Sequence, residues 1–121
     1  MENNTKRELT AEEISEIKIS DEALAVIAAI AATEVPGVDS MVGGITSELI
    51  DKLGVKNLSK GVRITVEDGR VFVELSLNIK SDVDIPELSR KVQHKVKSEL
   101  ENMTGLLVPY VKIRIAGITA Q

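Results

Sequence analysis

The chain has 121 residues, 43% of them hydrophobic and 28% charged, with a formal net charge of −4. That length allows one domain with a core of its own, the composition excludes wholesale disorder, and the acidic balance argues against unselective nucleic-acid binding. Cysteine is absent, which excludes disulfides, thiolate metal sites and cysteine nucleophiles, and one Phe, one Tyr and no Trp leave the core to aliphatic side chains.

Met1–Glu13 is polar and mixed in charge, without the apolar stretch of a secretory signal, and reads as a flexible tail ahead of a single domain over residues 14–118. Ile14–Ile19, with Ile17 and Ile19 on one face, reads as a short strand. Ser20 is placed to cap a helix whose first turn carries Asp21 and Glu22, where the positive end of the dipole favours acids. The helix should run to about Thr33 and stop before Val35-Pro36-Gly37. It is apolar nearly all the way round, so either the domain or a second subunit must cover it on more than one side. Its apolar run, Ala23–Ala32, falls well short of the roughly twenty residues a membrane span needs, so any membrane attachment is expected to come from elsewhere.

Val38–Gly61 is the least determined stretch. It holds Gly43-Gly44 and then reads as a short helix capped by Thr46 or Ser47 and ending at Gly54. A hairpin follows. Val62, Ile64 and Val66 alternate with polar residues up to Asp68-Gly69, and Val71, Val73, Leu75, Leu77 and Ile79 alternate after it. Asp-Gly between alternating runs is a strong two-residue turn signal. Setting Glu67 opposite Arg70 brings Ile64 to Val73 and Val62 to Leu75, which gathers the apolar side chains on one face, and it sets Arg63 opposite Glu74 and Thr65 opposite Phe72 on the other.

Asp84 is placed to cap a second helix, with Pro86 in its first turn and Glu87 three residues on. Ile85, Leu88, Val92, Val96, Leu100 and Met103 form one apolar stripe, and Gly105 ends the helix. Val111, Ile113 and Ile115 alternate with Tyr110, Lys112 and Arg114 in a closing strand. The sum is an α+β fold in two layers, ordered strand-helix-strand-strand-helix-strand. Two main helices cover one face of a mixed sheet of about four strands.

Together these residues resemble a known family. Gly37-Val38 after an Ala-rich helix, Gly61-Val62 opening a strand and Asp68-Gly69 in the hairpin are three of its landmarks. Val92-Gln93-His94-Lys95-Val96, Met103-Thr104-Gly105-Leu106 and Val111-Lys112-Ile113-Arg114-Ile115-Ala116-Gly117-Ile118 are the most specific. The ordered set is similar to the alkaline shock proteins, the envelope stress response family of Gram-positive bacteria, over about Ile17 to Ile118. Where members often carry an aromatic-Gly pair, this chain has Lys80-Ser81. The resemblance implies a cytoplasmic protein without enzymatic activity or cofactor, acting in cell-envelope homeostasis. It also implies recruitment to the inner side of the membrane by an anchored partner of the same or a related family, and assembly as a homo-oligomer.

No catalytic constellation emerges from the residues themselves. His94 lies off the apolar stripe among Gln93, Lys95 and Lys97 with no orienting acid, Asp82 and Asp84 lack the further oxygens a hard cation needs, and Gly43-Gly44 lacks the Lys of a phosphate loop. No metal, cofactor or small-molecule substrate is expected. The outer sheet face is the one candidate site. Parity places both aromatic residues there, Phe72 and Tyr110, with Arg63, Glu74, Lys112 and Arg114 around them. Such a face either simply covers the sheet with long side chains, docks a protein partner, or, in the alternative reading, binds single-stranded RNA by stacking.

Overall fold

The computed structural model describes residues 20–43 and 61–119. Six elements follow one another: α1 (Asp21–Thr33), β1 (Val38–Met41), β2 (Val62–Glu67), β3 (Arg70–Lys80), α2 (Ile85–Thr104) and β4 (Leu107–Thr119). They form the expected α+β fold, with both helices on one side of a four-stranded mixed sheet. The strand read over Ile14–Ile19, the tail before it and the short helix read between Thr46 and Gly54 lie outside the described residues. The fourth strand is β1, in the stretch the sequence left undetermined.

Local chemistry sets the helix ends. The Ala23 N–H donates to Ser20 Oγ at 3.1 Å, and the Glu87 N–H donates to Asp84 Oδ1 at 3.1 Å, so both expected caps are formed. Asp84→Ala should therefore lower stability by about 1 kcal/mol in urea denaturation, with the slope unchanged. An unaltered midpoint would remove the cap from the energetics.

The hairpin has the register counted from the sequence, from Glu67 opposite Arg70 to Val62 opposite Leu75. Asp68 and Gly69 both take positive φ, 52° and 75°, as a type I′ turn requires. The charges that face each other across it do not close into ion pairs. Among the described residues, the pairs within 4.0 Å are Lys95–Glu34 and Lys97–Glu101. Hairpin stability rests on the backbone ladder and the apolar face instead.

β3 is the central strand. β4 runs parallel to it over the whole length from Arg70 to Lys80, joined by the α2 crossover. On the opposite edge, β2 pairs with Arg70–Leu75 and β1 with Leu77–Ile79, so two antiparallel strands share that edge end to end. Ser76 stitches the junction: its N–H donates to the Gly61 carbonyl and its carbonyl accepts from the Val42 N–H.

The core lies between helices and sheet. Leu24, Met41, Leu75, Leu77, Ile79 and Leu100 are fully buried, together with Val71, Val73, Val92, Val96 and Val108. α1 packs on α2, β1 and β2, and α2 packs on β4. Ala28, Ala29 and Ala32 are wholly enclosed, and their small side chains allow α1 to lie close to its neighbours. The described residues themselves thus cover much of α1, while Val26, Ile27 and Ile30 stay half-buried.

Candidate partner-binding face

Alternation along three strands builds the face that the helices leave open. On β3 the odd positions from Val71 to Ile79 are buried, and the even positions Phe72, Glu74, Ser76 and Asn78 are half-buried on the far side. β2 and β4 add Arg63, Tyr110, Lys112 and Arg114, all exposed. The ladder sets these in rows. Thr65, Phe72 and Tyr110 form one; Arg63, Glu74 and Lys112 form the next; Ser76 and Arg114 follow.

The two aromatic residues of the chain are neighbours. Their ring centroids lie 5.7 Å apart with planes tilted at 59°, the tilted arrangement that ring quadrupoles favour. Tyr110 is nevertheless 47% exposed, a large amphipathic side chain presented to solvent. All six residues expected on the face are brought together: Phe72, Tyr110, Arg63, Glu74, Lys112 and Arg114. Glu74 is the only carboxylate among them and stands between Arg63 and Lys112 in its row.

Beside the aromatic pair a hollow of about 200 Å³ is lined by Arg63, Glu74, Ser76, Lys112 and Arg114. That volume is below the roughly 300–1,000 Å³ of most small-molecule sites. At the far end, the Asn78 side-chain amide donates to Ser40 Oγ at 3.1 Å and to the Met41 carbonyl at 3.4 Å, tying β1 into the sheet. β4 makes room for it. A Cβ on Gly117 would sit 2.7 Å from Asn78 Oδ1, so the bulge at Ala116 places a glycine where the side chain needs space. Asn78 was missed in the sequence because it reads as one more polar position in the alternation.

The other candidates have structural settings. His94 is exposed on α2 and borders a groove with Gln93, Lys97 and Tyr110. Asp84 caps α2, as above. Among the described residues, no three His, Cys, Asp or Glu side chains are grouped to hold a metal ion, and no helix is long and apolar enough to cross a membrane.

Comparison with known proteins places this architecture. The profile of the alkaline shock protein 23 family, described as having a cell envelope-related function, matches residues 9–120. The uncharacterized protein YqhY of Bacillus subtilis is 32% identical over 105 residues, covering 87% of this chain and 78% of its own. An uncharacterized protein of Streptococcus pyogenes serotype M6 is 35% identical over 114 residues, covering 93% and 86%. Among solved structures, a copper form of a MamM CTD variant superposes with a TM-score of 0.50 over 84% of this chain and 99% of that one. At 11% identity that likeness concerns the fold alone.

Proposed function

The chain belongs to the alkaline shock protein 23 family, whose function is cell envelope-related, and on that premise we propose that it is a non-catalytic interaction subunit. It acts in envelope stress homeostasis and is held at the inner side of the membrane by an anchored partner of the same or a related family. The observation that supports this most is the Phe72–Tyr110 pair, half-buried at Phe72 and exposed at Tyr110, on a sheet face that neither helix covers and that also carries Arg63, Lys112 and Arg114. Aromatic and Arg side chains are the types enriched at the energetic centres of protein interfaces.

Phe72→Glu should weaken partner binding about thirtyfold or more, the effect of losing one interface hot spot, while the domain stays folded because Phe72 packs on the outside of the sheet. The measurement is membrane fractionation of native cells followed by affinity capture. The wild-type chain should sediment with membranes and release in mild detergent together with its partner, and the variant should remain soluble. A wild-type chain found wholly in the soluble fraction would sink the anchored-subunit role.

The same pair supports a second reading, single-stranded RNA bound by base stacking beside cations. Labelled single-stranded RNA should then shift at low salt and lose the shift in Phe72→Ala. Absence of a low-salt shift ends that alternative.

A further inference from the structure

β4 is an edge strand, and its two halves are treated differently. Among the described residues it pairs with β3 alone, leaving its other edge to be satisfied by something else. Over the first half the chain itself does this. The Val108 N–H donates to Glu101 Oε2 at 3.0 Å, Pro109 has no N–H to offer, and the Val111 carbonyl accepts from Gln93 Nε2 at 3.0 Å. Two α2 side chains and one proline thus blunt the edge from Val108 to Val111.

From Ile113 onward no such device is present among the described residues. Peptide groups alternate between the two edges of a strand. Ser76 bonds to Gly61 and Val42, away from β4, so Val73 and Leu75 point toward it. Their partners on β4 are then Tyr110, Lys112 and Arg114, and the N–H and C=O groups of Ile113 and Ile115 face outward with the Val111 carbonyl. The stretch Ile113-Arg114-Ile115-Ala116-Gly117-Ile118-Thr119 has β-branched side chains, no proline and one charge, and Ile118 is 60% exposed. Those are the traits of a strand that accepts another.

Charge selects the occupant. Lys112, Arg114 and Lys80 are exposed on or beside this half of the edge, whereas Lys97, farther along, is paired with Glu101 at 4.0 Å. The carboxylate nearest in register, Glu74, lies one strand inward. A second copy of β4, whose sequence Leu107–Thr119 holds no acidic residue, would bring no carboxylate to Lys112 or Arg114.

We propose that the β4 edge from Ile113 to Thr119 accepts an extended acidic segment of a partner protein as an added strand, backbone to backbone, with its carboxylates beside Lys112 and Arg114. This rests on the partner-binding role proposed above and assigns it a second, adjoining surface.

The test uses the full chain and two short synthetic peptides, one alternating valine with glutamate and one alternating valine with lysine. Amide exchange by NMR should show the glutamate peptide protecting the Ile113 and Ile115 N–H groups, and the lysine peptide leaving them unprotected. Arg114→Glu should weaken the glutamate peptide about fivefold or more and admit the lysine peptide. Ile113→Pro, which deletes one outward donor, should abolish protection at Ile115. Membrane fractionation of the wild-type chain tests the partner-binding role by itself, so failure at the edge is separable from failure of that role. Protection of neither amide, or equal protection by both peptides, overturns the assignment. Protection without peptide, accompanied by a doubled mass in sedimentation, overturns it in favour of a second copy.

Discussion

Ala28→Asp is expected to lower stability by about 3–5 kcal/mol, the cost of an uncompensated buried charge. A domain of this size has about 5–15 kcal/mol in total, so the variant should unfold under mild conditions. Ala28 is 0% exposed on the buried side of α1, with Ala25, Ala29 and Ala32 buried beside it. The neighbouring Ile27 is only half-buried, and Ile27→Asp should cost well under that amount because its carboxylate can reach water. Urea midpoints of the two variants check the orientation of α1. Equal losses would mean that something else, such as a second subunit, covers the Ile27 side. An Ile27→Asp protein that is folded but smaller in sedimentation would place that side at a subunit contact.

The hairpin could be counted in advance because its turn residues and its two alternations agree, and α2 because cap, stripe and terminal glycine coincide. β1 had none of these signals. It is four residues long, carries Asp39 and Ser40, contains a register shift, and buries both Ser40 and Met41, so no period of two is visible. A different kind of reasoning could have found it. β3 has eleven residues and β2 only six, so the backbone groups of the second half of β3 needed a partner on that edge. Val38–Met41 supplies it.

The candidate face was legible because side-chain parity is a property of sequence alone: once the hairpin register and the closing strand were read, Phe72 and Tyr110 had to lie on the outer side. Their adjacency was not legible. It depends on β4 lying parallel beside β3 with a shift near its start, so that Tyr110 meets Phe72. The blunted and open halves of β4 were hidden for the same reason. Gln93 and Glu101 read as ordinary polar positions on a helix, and their hydrogen bonds to Val111 and Val108 exist only after the crossover brings α2 over the edge.

Gly37→Ala should cost about 2–5 kcal/mol, far more than a glycine-to-alanine change in a loop ordinarily does. Two causes add. Gly37 has φ +103°, a conformation that side chains with a Cβ rarely adopt, and its carbonyl is fixed there by the Lys80 N–H at 2.9 Å. A Cβ at this position would also lie 2.9 Å from Val83 Cγ1 and 3.2 Å from Leu88 Cδ1. Val83 is β-branched and Leu88 is buried under α1 and the sheet, so neither side chain can turn aside freely. Gly105 separates the two effects. It too has positive φ, +75°, but a Cβ there would meet nothing within 4 Å, so Gly105→Ala should show the backbone cost alone, about 1–2 kcal/mol. The difference between the two urea midpoints measures how tightly the turn from α1 into β1 is clasped by the start of α2. A Gly37→Ala variant no less stable than Gly105→Ala would show that Val83 and Leu88 yield, and that the junction holding β1 against β3 rests on the Lys80–Gly37 hydrogen bond rather than on packing.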